Sequence, residues 1–231
     1  MHCRTAIFLA ALTLSVACGD VDWNNREPGD FEGRVFLMWA GPGAGDAGDG
    51  NFVFIPDPDN ALTFTRDARY DRFQTVTPGV MYTDGGSVPR VAQAFRGLQP
   101  WGYGPAYMVH DWLFVAHHCN REGKADANEA SMAGMSFEES AHLIAEALKT
   151  LVAEGKIAEG DLKAPGIIAG AVAGPVSAAI WEAGTCPHPR ISDKDQRAVD
   201  DFLSRRRFRT MAVGEATPGP APLRLVGIIE F

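Results

Sequence analysis

The sequence lacks the excess of basic residues that nucleic-acid binding requires. Its 231 residues include 21 Lys and Arg against 29 Asp and Glu, which gives a formal net charge of −8. A protein that binds nucleic acid usually presents a basic patch to the phosphates, so we expect no nucleic-acid partner. The chain also has only four cysteines, which is too few for a scaffold built mainly from disulfides.

Several catalytic signatures and a long apolar run are also missing. The chain contains no Walker A motif, no His-Glu-x-x-His helix and no Cys-x-x-Cys pair, so none of these motifs suggests a chemistry. No uncharged run reaches the roughly 20 residues of a membrane-spanning helix. Hydrophobic residues make up 46% of the chain and charged residues 22%, a composition typical of a folded globular protein.

The N-terminus does carry a targeting signal. Arg4 precedes an uncharged run from Thr5 to Ala17, and this pattern predicts a secretory signal peptide over residues 1–17. The run ends in Leu14-Ser15-Val16-Ala17-Cys18, which resembles a bacterial lipobox, where the signal is cut before an acylated cysteine. We therefore predict lipidation of Cys18, with plain secretion after cleavage near Ala17, or an uncleaved apolar N-terminus, as alternatives.

The residue after Cys18 bears on localisation. Gly19 occupies the position at which Asp would favour retention in the inner membrane of a Gram-negative cell. We therefore expect a cell-envelope protein, lipid-anchored in the outer membrane and facing the periplasm. Two acyl chains suffice for stable anchoring, so the membrane is the predicted partner, and the sequence identifies no protein or small-molecule partner.

Two cysteines, Cys119 and Cys186, remain after processing. An even pair in an oxidising compartment favours a disulfide, and two free buried thiols are the alternative.

The order of predicted elements indicates one α+β domain, with short antiparallel strands followed by a helical C-terminal half. Residues 18–30 are predicted as a lipidated tether, residues 31–208 as the domain, and residues 209–231 as a Pro/Gly linker with a terminal strand. Strand patterns occur at residues 31–39, 51–55, 61–65, 75–82 and 223–231. Helical patterns occur at residues 107–118, 137–155, 164–181 and 192–208.

Two of these helices carry more specific expectations. Ser136 and Glu139 form a capping box at the start of the helix 137–155, and His142 lies off its apolar stripe, so we expect its side chain to be exposed. The segment 164–181 has no charged residue, but Pro165 and Pro175 interrupt it. We therefore predict a buried core helix there rather than a membrane span.

The candidate chemistry lies around an apolar helix that contains His110 and Asp111. Charged groups in an apolar helix need partners, and adjacent helical residues point about 100° apart, so each needs a partner elsewhere in the fold. Asp84 and Asp126 are the candidates. A carboxylate that holds one imidazole nitrogen would leave the other free as a general base, and a buried polar network without catalysis is the alternative.

Ser87 and the carboxylates suggest two further roles. Gly85-Gly86-Ser87-Val88-Pro89 is similar to the G-x-S-x-G nucleophile elbow, although Pro replaces the last Gly. Ser87 is thus a candidate nucleophile, and capping of a turn together with Asp84 is the alternative. Asp84, Asp111 and Asp126 could together bind a divalent metal ion, and no other cofactor is indicated.

These motifs resemble a known family. The sequence TDGGSVPR (residues 83–90), HDWLF (residues 110–114) and a later Ala-Asp pair at 125–126 are similar to the bacterial and phage-associated family called domain of unknown function 1353 (DUF1353), with its TDxxSVPR and HDxLY motifs. The resemblance covers about residues 75–181, and Phe114 stands where Tyr is common. It implies site positions but no reaction: Asp84, Ser87, His110, Asp111 and Asp126.

The His-Asp pair on a helix is also similar to secreted phospholipases A2, in which the His activates water and the Asp binds calcium. The cysteines that flank that pair are absent here, so this is an analogy only. We therefore expect a lipid-anchored envelope protein that is a hydrolase with a His/Asp site. The alternative is a non-catalytic envelope or phage-related interaction protein in which the same cluster is a structural staple.

Overall fold

The computed structural model describes residues 21–41, 51–83, 103–156, 164–211 and 223–231. Antiparallel strands lie mostly in the first half of this part and six α-helices mostly in the second, which confirms the α+β class. The strands are β1 (Asp30–Glu32), β2 (Arg34–Gly41), β3 (Asn51–Pro56), β4 (Thr63–Thr65), β5 (Thr75–Val76), β6 (Met81–Thr83) and β7 (Arg224–Glu230). The helices are α1 (Gly104–Arg121), α2 (Ala127–Ala130), α3 (Phe137–Ala153), α4 (Ala164–Val172), α5 (Pro175–Ala183) and α6 (Asp193–Met211).

The strands form two sheets because the predicted strand 31–39 is divided at Gly33. Gly33 has a φ of +92°, and a Cβ at this position would overlap the carbonyl of Ala61, so only glycine fits the turn. On one side of it, β1 belongs to a three-stranded sheet in the order β1-β4-β5. On the other side, β2 belongs to a four-stranded sheet in the order β6-β3-β2-β7.

The four-stranded sheet is buried on both faces at its centre. Val35 and Leu37 of β2 belong to the main hydrophobic core with α1 and α3. Phe36 and Met38 face the opposite side and belong to a smaller core with α6, where the rings of Phe36 and Phe202 lie 5.2 Å apart. The sheet therefore separates α6 from the other long helices.

Helix α3 begins with the predicted capping box, in which Glu139 N donates to Ser136 Oγ at 3.1 Å and Ser136 N to Glu139 Oε2 at 2.9 Å. The expectation for His142 is wrong. Its side chain is only 16% exposed, and its Nε2 lies 3.1 Å from Arg26 Nη2. His142 is covered because the segment that precedes β1 lies along this side of α3.

This N-terminal segment, residues 21–29, is attached to the domain. Lys149 of α3 donates to the carbonyl of Asn24 at 3.1 Å, and the backbone N–H of Gly29 donates to Thr150 Oγ1 at 2.8 Å. The described part of the predicted tether of residues 18–30 therefore contacts the domain, and Val21, the first described residue, packs against the main core.

The uncharged segment 164–181 forms two helices rather than one. Helices α4 and α5 meet at a bend of 44°, because Pro175 has no N–H and its ring would clash with the preceding turn of a continuous helix. Ile168 and Trp181 are buried, as predicted, but Val176 is 73% exposed, so the prediction of a single buried helix is wrong. No single helix in the described ranges is long and apolar enough to span a membrane, although α4 and α5 together meet that test by length and composition.

The predicted disulfide is present. Cys119, near the end of α1, is bonded to Cys186, which follows α5. The disulfide links the chain after α5 to the helix that contains His110 and Asp111.

Candidate functional site

The structure brings together the chain segments that contain the two main motifs. Strand β6 ends at Thr83, the residue before Asp84, and Thr83 Oγ1 donates to Asp111 Oδ2 at 3.1 Å. The motif around residues 83–90 therefore begins beside the motif on α1. Asp84 and Ser87 lie outside the described residues, so their predicted roles stay predictions.

His110 is buried and neutral. Its residue surface is 6% exposed, and burial lowers the pKa of its imidazole to about 4, since water no longer solvates the charged form. The ring of Phe114, one turn further along α1, lies 4.8 Å from the imidazole centroid. The imidazole is thus held against an aromatic ring and is uncharged at neutral pH.

The two nitrogens of His110 have different surroundings. Nδ1 lies 4.0 Å from Asp111 Oδ1, which is too far for a hydrogen bond and agrees with the predicted divergence of adjacent helical side chains. Nε2 is buried, and no residue in the described part of the chain forms a hydrogen bond with it. A buried nitrogen without a partner is costly, and such exceptions often mark a catalytic or otherwise functional group.

Tyr107 is a further polar group of this site that the sequence reasoning missed. Burial raises the pKa of its hydroxyl, and the nearby Tyr103 and Asp111 raise it further. The Tyr107 hydroxyl is buried and makes no hydrogen bond within the ranges that the structure describes. The available signal was its position three residues before His110 and four before Asp111, which places all three side chains on neighbouring parts of one helix face.

Asp126 is placed elsewhere. Its carboxylate accepts the backbone N–H of Glu129 at 2.8 Å and caps helix α2. Helix α2 lies at the far end of α1, where Asn120 Nδ2 donates to the carbonyl of Glu129 at 2.6 Å. Ten residues of α1 separate Asn120 from His110, or about 15 Å along the helix axis. The structure therefore does not bring Asp126 to His110, and Asp126 is occupied as a helix cap.

The predicted metal set is accordingly incomplete in the structure. In the described part of the chain, no group of three or more His, Cys, Asp or Glu side chains could hold a metal ion. Asp111 is the one predicted ligand that lies beside His110 there. Whether Asp84 joins Asp111 at a metal ion stays a prediction.

The protein has staples of another kind, which contrast with His110. Arg66 donates to both carboxylate oxygens of Glu146 at 2.7 and 2.8 Å, and this buried pair links β4 to α3. Arg190 donates to Glu129 at 2.6 and 2.5 Å, linking the loop after Cys186 to α2. In each staple the buried polar groups are paired, as such burial requires, whereas Nε2 of His110 has no partner among the residues that the structure describes.

No family model, curated protein or solved structure matches the chain. The resemblance to DUF1353 therefore stays a prediction that rests on the motif residues, and the functional argument rests on the site itself.

Proposed function

We propose that this protein is a lipid-anchored envelope hydrolase in which His110 is the general base. One observation carries the proposal: the neutral imidazole of His110 presents a buried Nε2 that has no hydrogen-bond partner among the described residues. A histidine that served only as a staple would be expected to use its ring nitrogens, as the Arg66–Glu146 and Arg190–Glu129 pairs use their polar atoms.

The proposed chemistry follows from the different surroundings of the two imidazole nitrogens. The lone pair of Nε2 accepts a proton from a water molecule as the water oxygen bonds to the electrophilic centre of the substrate. Asp111, 4.0 Å from Nδ1, stabilises the imidazolium that forms. The imidazolium then returns its proton to the leaving group when the bond to that group breaks, which restores the neutral ring.

Thr83 and Asp111 have a positioning role in this scheme. The hydrogen bond of 3.1 Å from Thr83 Oγ1 fixes the orientation of the Asp111 carboxylate beside the imidazole. If Asp111 and Asp84 bind a divalent cation, as the sequence predicts, that cation would polarise the substrate.

The test is hydrolysis of chromogenic probes, namely p-nitrophenyl esters of several acyl lengths and bis(p-nitrophenyl) phosphate, each with Ca²⁺ and with a chelator. We expect the wild-type protein to hydrolyse one class of probe and His110→Gln to abolish that activity while the protein stays folded. His188→Gln is the matched control because the side chain of His188 is exposed. Thr83→Val should lower the rate without abolishing it.

Two results would contradict the proposal. If the His110→Gln variant retains the wild-type rate, His110 is not the base. If no probe is cleaved and His110→Gln destabilises the fold, the cluster is a structural staple, and the non-catalytic interaction protein is the better assignment.

A further inference from the structure

The apolar outer surface of helices α4 and α5, in which Glu182 is the only charged residue, is unusual for a face exposed to water. Ile167 is 60% exposed, Val176 73% and Ile180 52%. An open apolar groove of about 620 Å³ lies on the same surface, lined by Pro175, Val176, Ala179, Ile180, Ala183 and Gly184. Single exposed apolar residues are common, but a contiguous apolar patch marks an interaction surface.

The start of the described chain lies against helix α4. The indole of Trp23 packs over Gly166 of α4, since a Cβ at Gly166 would lie 3.6 Å from the ring. Three residue steps separate Cys18 from Val21, and they span at most about 11 Å. A lipid attached to Cys18 would therefore enter the bilayer beside α4.

Trp23 is of a residue type that is enriched at membrane–water interfaces. Its ring centroid lies 5.4 Å from the ammonium group of Lys149, which also donates to the carbonyl of Asn24. No residue from 164 to 181 is charged, so no charge on α4 or on the first seven residues of α5 opposes contact with the acyl region. Glu182, in the last turn of α5, is exposed and marks the end of this uncharged surface.

We propose that α4 and α5 form a membrane-seating face, defined by Ile167, Val176 and Ile180, that enters the outer part of the bilayer when the protein is anchored. The face lies in the interface without spanning the membrane, at the depth of about 5–10 Å that is typical of apolar helix faces. This inference rests on the proposed lipid anchor at Cys18, which supplies the attachment that three apolar side chains alone would not.

The experiment places a tryptophan on the face and measures its quenching by lipid-borne bromine. The chain from Cys18 onwards, which keeps every described residue, is coupled through Cys18 to maleimide-bearing phosphatidylethanolamine/phosphatidylglycerol vesicles, with and without brominated acyl chains. Cys119 and Cys186 are disulfide-bonded, so Cys18 is the coupling thiol. Because the coupling is chemical, the result does not depend on whether cells acylate Cys18.

Val176→Trp is the test variant and Ser204→Trp the matched control. Ser204 is exposed on α6, across the four-stranded sheet from the main core that contains Ile168 and Trp181. We expect brominated lipid to remove most of the added emission of Val176→Trp and none of the added emission of Ser204→Trp. Adding Ile180→Asp to the Val176→Trp chain should abolish the quenching.

Equal quenching of the Val176→Trp and Ser204→Trp variants would overturn the proposal. A second pair of results would also overturn it: in vesicle-free solution, iodide fails to quench the added tryptophan of the Val176→Trp variant, and sedimentation gives twice the mass of one chain. A second copy of the chain would then cover the face. Mass analysis of Cys18 in protein from cells tests the anchor separately. An unacylated Cys18 would overturn the native anchor on which the inference rests, even if the coupled protein were quenched.

Discussion

Replacing His110 should make the protein less sensitive to acid. Burial lowers the pKa of His110 from 6.5 to about 4, so the unfolded chain binds a proton between these two pH values that the folded protein does not. Wherever the unfolded state binds more protons, the unfolding free energy rises as pH rises and decreases as pH is lowered. The contribution of the neutral His110 is therefore fully present above pH 6.5 and is lost progressively down to pH 4.

The size of the effect follows from the shift. Between pH 6.5 and pH 4, each unit by which the pH is lowered reduces the unfolding free energy by up to 2.303RT, about 1.4 kcal/mol. The wild-type protein should therefore lose about 2 kcal/mol of unfolding free energy through His110 by pH 5 and about 3 kcal/mol by pH 4. His110→Gln removes the titrating group and hence this loss, although it changes the stability at neutral pH as well.

The measurement is urea unfolding of the wild-type, His110→Gln and His188→Gln proteins at intervals from pH 7.5 to 4. The difference between wild type and His110→Gln should shrink or reverse towards low pH by the amounts given, because other titrating groups are common to both. His188→Gln should run parallel to wild type. Parallel curves for His110→Gln would refute the reasoning and would mean that Asp111, 4.0 Å away, keeps the buried imidazole protonatable near its ordinary pKa.

Three further predictions concern the anchor, the disulfide and α5. Cys18→Ala should remove all incorporation of a labelled fatty-acid analogue in cells, and equal labelling of both proteins would disprove lipidation. Replacing Cys119 and Cys186 together by Ala should cost about 4 kcal/mol for a loop of this length, whereas unchanged urea stability, or two alkylatable thiols in unreduced protein, would contradict the bond. Gly184→Ala should destabilise by about 1–3 kcal/mol, because its Cβ would overlap the buried imidazole of His118, and a variant as stable as wild type would show that this ring can move.

The architecture could be predicted from the sequence where local pattern decides it. The capping box at Ser136 and the apolar stripe of α3 lie within a few residues of each other, so spacing alone located that helix. The division of strand 31–39 at Gly33 depends on the approach of Ala61, a tertiary contact that carries no local signal. The exposure of Ile167 and Val176 was hidden for a similar reason, since periodicity cannot say whether a neighbouring element covers a face.

The sequence likewise predicted some parts of the candidate site and not others. His110 and Asp111 stand out as charged groups in an apolar helix, and the sequence was sufficient to select them. The hydrogen bond from Thr83 arises only because β6 ends beside α1. Asp126 was selected as a partner by motif, whereas its capping of α2 depends on local geometry that the motif did not take into account.

The order of strands in the four-stranded sheet has a consequence for the proposed export of the chain. β2 pairs along one side with β3 and along the other with β7, from Arg34↔Glu230 to Trp39↔Arg224. Until residues 224–230 arrive, β2 is an edge strand with unpaired backbone groups and an exposed apolar face. Contacts between residues so distant in sequence also form slowly. A chain with this topology cannot complete its sheet while its last strand is still being synthesised. Under the proposed export, this order of pairing would favour translocation before the sheet is complete.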